Sequence, residues 1–138
     1  MVKPVQTRAS VSVASSALSE GRMLELAEKA AMSGDSDVGR FRVEARTPHS
    51  TTVSLRDHIE GAELIRFEVR TDRAVGRTTA RTAITFFRTK DGGVNALIPM
   101  AKRKLLGFSA YEIFMDWYVA AVVREDPNAI VTLVDGKD

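Results

Sequence analysis

From Val38 to Pro99 the apolar residues recur at every second position, and no other feature of the chain limits its fold as tightly. In RFRVEARTP, Phe41, Val43 and Ala45 fall on one side and Arg42, Glu44 and Arg46 on the other; in TTVSLRD, Val53 and Leu55 oppose Thr52, Ser54 and Arg56. ELIRFEVRT sets Ile65, Phe67 and Val69 against Arg66, Glu68 and Arg70. GRTTARTAITFF sets Ala80, Thr82, Ile84 and Phe86 against Arg77, Thr79, Arg81, Ala83 and Thr85. Phe87 breaks this alternation, and a bulge near the strand end turns it inward. Pro48 to Ser50 reads as a turn, and so does Asp91-Gly92, which leads into a short strand at residues 94–98. Strands with one apolar and one charged face belong to an antiparallel sheet covered on a single side.

The segments on either side supply the cover. VQTRASVSV, residues 5–13, alternates as a first strand with Val5, Thr7, Ala9, Val11 and Val13 on one face. The spacing then becomes helical: Met23, Leu26, Ala27, Ala30 and Ala31 form a stripe, Ser16 or Ser19 caps its start, and Gly34 supplies a left-handed closing residue. A second helix is expected in GFSAYEIFMDWYVAAVVREDP. There Ser109 and Glu112 fit a capping box, Phe108 and Ile113 fit a hydrophobic staple, and Pro127 limits the far end. Glu112, Asp116 and Arg124 make one narrow polar stripe, and Tyr111, Phe114, Met115, Trp117, Tyr118, Val119, Val122 and Val123 surround the rest. A helix lying on a sheet needs only a ~100° apolar arc. This one is apolar over more than that, so a second element, a second subunit or a bound molecule must cover the excess. AIVTLVD follows as a closing strand. The expected fold is α+β: one domain, residues 1–138, with an antiparallel sheet of five or six strands covered on one face by a short N-terminal and a long C-terminal helix.

This order resembles, in gross architecture, the helix-grip arrangement of the polyketide-cyclase and START-like superfamily, in which a curved sheet wraps a long C-terminal helix around an apolar cavity. The chain has one helix after its first strand where that arrangement has two, and AIVTLVD is an addition. The resemblance implies a small apolar or amphipathic ligand between sheet and helix. The residues placed to line such a site are Phe67, Val69, Thr82, Ile84 and Phe86 on the sheet and Tyr111, Phe114, Trp117 and Tyr118 on the helix. Lys102, Arg103 and Lys104, just before the helix, are candidates for an acidic head group. A homodimer through residues 109–125 is the alternative use of the same apolar surface.

Charge and composition narrow the remaining classes. Residues 40–90 carry ten arginines and Lys90 against six acids, while residues 91–138 carry five bases against seven acids. The basic segment suggests nucleic acid, but acids interleave with its arginines and Phe41, Phe67 and Phe86 point to the other face, which argues against a sheet-based binder. Cysteine is absent, which excludes disulfides, thiolate catalysis and cysteine-bound metals, and accords with the expected cytoplasmic setting. No apolar run approaches the ~20 residues of a membrane span. The two histidines, His49 and His58, fall in turns, where a lone histidine is most often an exposed polar residue; Asp57, Glu60 and Glu63 near His58 are the one grouping that suggests a metal site or general base, and no nucleophile motif, phosphate loop or dinucleotide fingerprint is present. Non-enzymatic binding, without cofactor or metal, is therefore the expectation.

Overall fold

The structure, a computed structural model, describes residues 2–34, 36–90 and 97–137. The chain order is β1 (Ser10–Ser15), α1 (Glu20–Ser33), β2 (Gly39–Thr47), β3 (Ser50–Asp57), β4 (Glu63–Ala74), β5 (Arg77–Phe87), α2 (Phe108–Glu125) and β6 (Ile130–Val134). The strands form one antiparallel sheet in the order β2-β3-β4-β5-β1-β6, with both helices packed on one face. The expected α+β class is what the chain adopts. The turn at Asp91-Gly92 lies outside the described residues; of the strand expected at 94–98, only Leu97 and Ile98 are described, and they belong to no strand.

Alternation explains most of the core. Val53, Leu55, Ile65, Phe67, Val69 and Ala80 are buried beneath the helices, joined by Val11 and Val13 of β1 and by Ala9 just before it. The register shifts at three places, one of them between Leu55 and Arg56 against β4, and the other two move residues named above to new faces. Between Val43 and Ala45 the register with β3 shifts, so Arg46 pairs with the inward Thr51 and reaches Glu28 on α1 at 2.7 Å instead of joining Arg42 outside. Between Arg66 and Phe67 the register with β5 shifts in the same way: Phe87 pairs with buried Ile65 and turns inward, as expected, while Phe86 pairs with Arg66 and turns outward. Phe86 is therefore corrected from the helix-covered face to the arginine face, where the Arg88 guanidinium sits 5.8 Å from its ring.

The element ends show where local chemistry overrode pattern. Residues 5–8 form a single 3-10 turn after Pro4, closed by the Thr7 hydroxyl on the Pro4 carbonyl, so β1 starts later than its alternation suggests. Of the two expected candidates it is Ser19 that caps α1, accepting from the Arg22 N–H. Gly34 is not left-handed; its φ is −85°, and the Ser33 hydroxyl donates to the Lys29 carbonyl in the last turn. The expected capping box at Ser109 is not formed. α2 begins at Phe108, whose buried ring packs 6.1 Å from Tyr111, and its cap is Gly107 at φ 76°. A Cβ at Gly107 would lie 2.4 Å from Leu55 Cδ2. Gly107→Ala is thus expected to cost about 1–3 kcal/mol, from left-handed strain and the displaced Leu55, read as a lower urea midpoint.

Candidate functional site

The residues expected to line a ligand site divide into three groups. Phe67, Val69, Thr82, Tyr111, Phe114 and Tyr118 come together between sheet and α2, all buried. The Phe67 ring lies 4.5 Å from Phe114, 5.0 Å from Tyr111 and 5.9 Å from Phe41, the spacing of rings in direct contact. Their polar atoms are satisfied by the chain itself. Tyr111 Oη donates to the Ala9 carbonyl at 2.9 Å and lies 2.8 Å from Thr82 Oγ1, which also accepts from the Val11 N–H; Tyr118 Oη donates to the Met23 carbonyl at 3.1 Å. No buried side-chain polar atom among the described residues lacks a partner. Ile84 borders this cluster partly buried, and Phe86 lies on the far side of the sheet.

Trp117 is displaced from the expected set. One residue before Tyr118, it points about 100° around the helix and stands 46% exposed in a groove of about 510 Å³ between α1 and α2. Leu26, Ala30, Ala120 and Ala121 line that groove with it, and Arg22, Lys29, Arg124 and Glu125 rim it. Arg22 holds Glu125 in an ion pair across the helices, and that hydrogen bond keeps the Glu125 carboxyl below its ordinary pKa. The apolar excess on α2 is thus shared between the buried cluster and this groove.

Lys102, Arg103 and Lys104 do adjoin a small cavity of about 320 Å³, and Lys90 joins them on its wall beside Ile98, Leu105 and Leu106. Arg103 Nε donates to the Ile98 carbonyl at 3.0 Å. On the outer face of the sheet several arginines are matched by acids. Arg56 binds Glu44, Arg66 binds Glu63 and Arg70 binds Glu68. Glu44 also accepts from the Ser54 hydroxyl at 2.6 Å, the leading reason its pKa is lowered.

A larger concavity lies where the sequence pattern drew no attention. About 820 Å³ opens at the free edge of β2 under the last turns of α1, lined by Phe41, Val43, Met32, Arg40, Arg42, Arg56, Glu28, Asp57 and His58. Met32 is 65% exposed, and Phe41 connects the groove to the interior, its ring also 6.1 Å from Phe114. Both acids are already engaged. Glu28 accepts from Arg46 and Thr51, and Asp57 accepts from the backbone N–H groups of Ile59, Glu60 and Ala62, led by the Glu60 bond that lowers its pKa. His58 Nε2 lies 2.7 Å from the Ser36 carbonyl. Arg40, by contrast, has no partner among the described residues, and Arg42 is only 3.9 Å from Glu44. The groove therefore combines an apolar floor with a cationic rim. Its signal in the sequence was slight: Met32 sits one residue beyond the α1 stripe, and only the bulge after Val43 reveals where β2 leaves its pattern.

His49 Nδ1 lies 3.0 Å from Glu20 Oε1, which also accepts from the Thr71 hydroxyl. The threonine bonds to the carboxylate and not to the imidazole, so no hydroxyl is set up as a nucleophile there. Among the described residues no three His, Asp or Glu side chains are grouped to hold a metal ion, and no helix is long and apolar enough to cross a membrane. No protein family, curated protein or solved structure matches the chain.

Proposed function

We propose that the protein is a non-enzymatic binder of a small amphipathic anion, held in the groove at the β2 edge. The observation that carries this is the pairing of the apolar floor Met32-Phe41-Val43 with a rim bearing Arg40 and Arg42, in a cleft of a size common for small-molecule sites (~300–1,000 Å³). The aromatic cluster of Phe67, Tyr111 and Phe114 backs the floor, since Phe41 packs on it. A ligand tail seated on Met32 and Val43 removes apolar area from water at about 25 cal/mol per Å². Its carboxylate, sulfonate or phosphate meets the fork geometry of an arginine. His58 is no base in this proposal, because its ring is engaged with the Ser36 carbonyl.

The test uses 8-anilinonaphthalene-1-sulfonate, an amphipathic anion whose fluorescence rises in apolar surroundings. Saturable binding is expected, weakened at least tenfold by Arg40→Glu with Arg42→Glu and by Met32→Lys, and unchanged by Lys102→Ala with Lys104→Ala. Circular dichroism of each variant establishes that the fold is intact. Absence of saturable binding, or equal affinity in the Arg40/Arg42 variant, removes the proposal; loss only in the Lys102/Lys104 variant moves the site to the smaller cavity.

A further inference from the structure

The sheet has two edges, and they are built differently. β2 carries Arg40, Arg42, Glu44 and Arg46 and is bent by its bulge, the features that keep an edge strand from pairing with another chain. β6 has none of these. Ile130–Val134 contains no charge and no proline, and it pairs with β1 through five consecutive residues without a register shift. Every residue of β6 is exposed, its four aliphatic side chains by 39 to 57%. Both of its faces are apolar. Val131 and Leu133, opposite buried Val13 and Val11, point to the helix side; Ile130 and Val134, opposite Ala14 and Ser10, point to the outer side. Beyond Val134 the chain turns at Gly136, φ 70°, toward Gln6 and Ala9, so it does not run along the free edge.

We propose that β6 is a homodimerisation edge, pairing antiparallel with β6 of a second copy about a twofold axis at Thr132 to give one continuous twelve-stranded sheet. The strand is complementary to itself in that arrangement. Thr132 meets Thr132, Val131 meets Leu133 on the helix side, and Ile130 meets Val134 on the outer side, so each apolar side chain gains an apolar partner. Because the strand is uncharged, two copies meet without like-charge repulsion, which would not hold for two copies of the arginine-bearing β2 edge. The unpaired backbone groups of both strands are satisfied by the same step. A five-residue seam is only ~17 Å long and falls short of the ~800 Å² per partner of a standard interface. The proposed interface therefore takes in more than the strand: Val119 and Val123, partly buried, lie on the side of α2 turned away from the α1 groove.

The experiment is the solution mass by light scattering across a concentration series, paired with variants that follow the twofold. The wild-type chain is expected at twice its 15.1 kDa mass at high concentration. Ile130→Lys with Val134→Lys places lysine opposite lysine across the axis and is expected to give a monomer. Ile130→Lys with Val134→Glu places lysine opposite glutamate and is expected to restore the dimer. Trp117→Glu, in the α1–α2 groove, should leave the dimer intact. A wild-type monomer at all concentrations overturns the proposal, as does a dimer that survives the double-lysine change or one that Trp117→Glu abolishes. Amide hydrogen exchange on the unaltered protein gives a second reading that no folding defect can confuse. Protection at residues 130–134 should rise with concentration; constant protection counts against the β6 seam. Neither measurement involves the anion groove at the opposite edge.

Discussion

Replacing Phe67 with alanine is expected to lower the unfolding free energy by about 3–5 kcal/mol, as for other buried phenylalanines. The side chain is fully buried and touches the rings of Phe41, Tyr111 and Phe114, so its removal empties a volume that three rigid neighbours border at once. Rigid rings collapse poorly into a void, which favours the upper part of that range. Since a domain of this size is held by only about 5–15 kcal/mol, the loss should appear as a large fall in the urea midpoint. The measurement also speaks to the space between sheet and α2. A loss under about 1 kcal/mol would mean the rings are loosely fitted, and would return attention to that layer as a place for a ligand.

The second large effect is expected in alkali. The chain has two tyrosines, and both phenols are buried with all their hydrogen bonds made inside the protein. Burial pushes Tyr111 up to about 12, against the smaller opposing pull of its Thr82 bond, and raises Tyr118 further. A phenol whose folded value lies above its unfolded one adds stability that is complete below the unfolded value near 10 and is lost as pH climbs through the folded value. For Tyr111 two units amount to roughly 3 kcal/mol. Absorbance at 295 nm should therefore show no phenolate through about pH 10.5, then rise for both residues together as the fold opens. A gradual titration centred near pH 10 would show that at least one phenol reaches water.

The alternation from Val38 to Pro99 was enough to foretell a one-sided antiparallel sheet because each inward residue from Val53 to Thr82 obeys it. Arg46 and Phe86 escaped because a bulge exchanges the two faces without changing composition. A bulge near the strand end was expected for Phe87, but its effect on Phe86 was not: the extra residue, Thr85, turns both phenylalanines over together. Trp117 was misplaced for a different reason. A helix that is apolar nearly all round carries no phase, so nothing in its own residues separates Tyr118, which meets Met23, from Trp117, which meets solvent. The groove under α1 was invisible to pattern reading because it exists only where Met32, Val43 and Arg40, distant in sequence, are brought to one edge. Capping of α1 was local, and the structure selects Ser19 of the two serines expected; capping at Ser109 failed because burial of Phe108 against Tyr111 outweighed it.

The position of β1 inside the sheet has a consequence for how the protein is made. β2 to β5 meet their neighbours across short connections, whereas β1 must wait for residues 78–81 on one side and 130–134 on the other. At about 5–20 residues per second, synthesis leaves some 3–10 seconds between the two partners. During that interval β1 is paired along one side only, and α2 is completed only in its later part, at residue 125. The half-built sheet then has one side of β1 unpaired, and the arrival of β6 is what covers it.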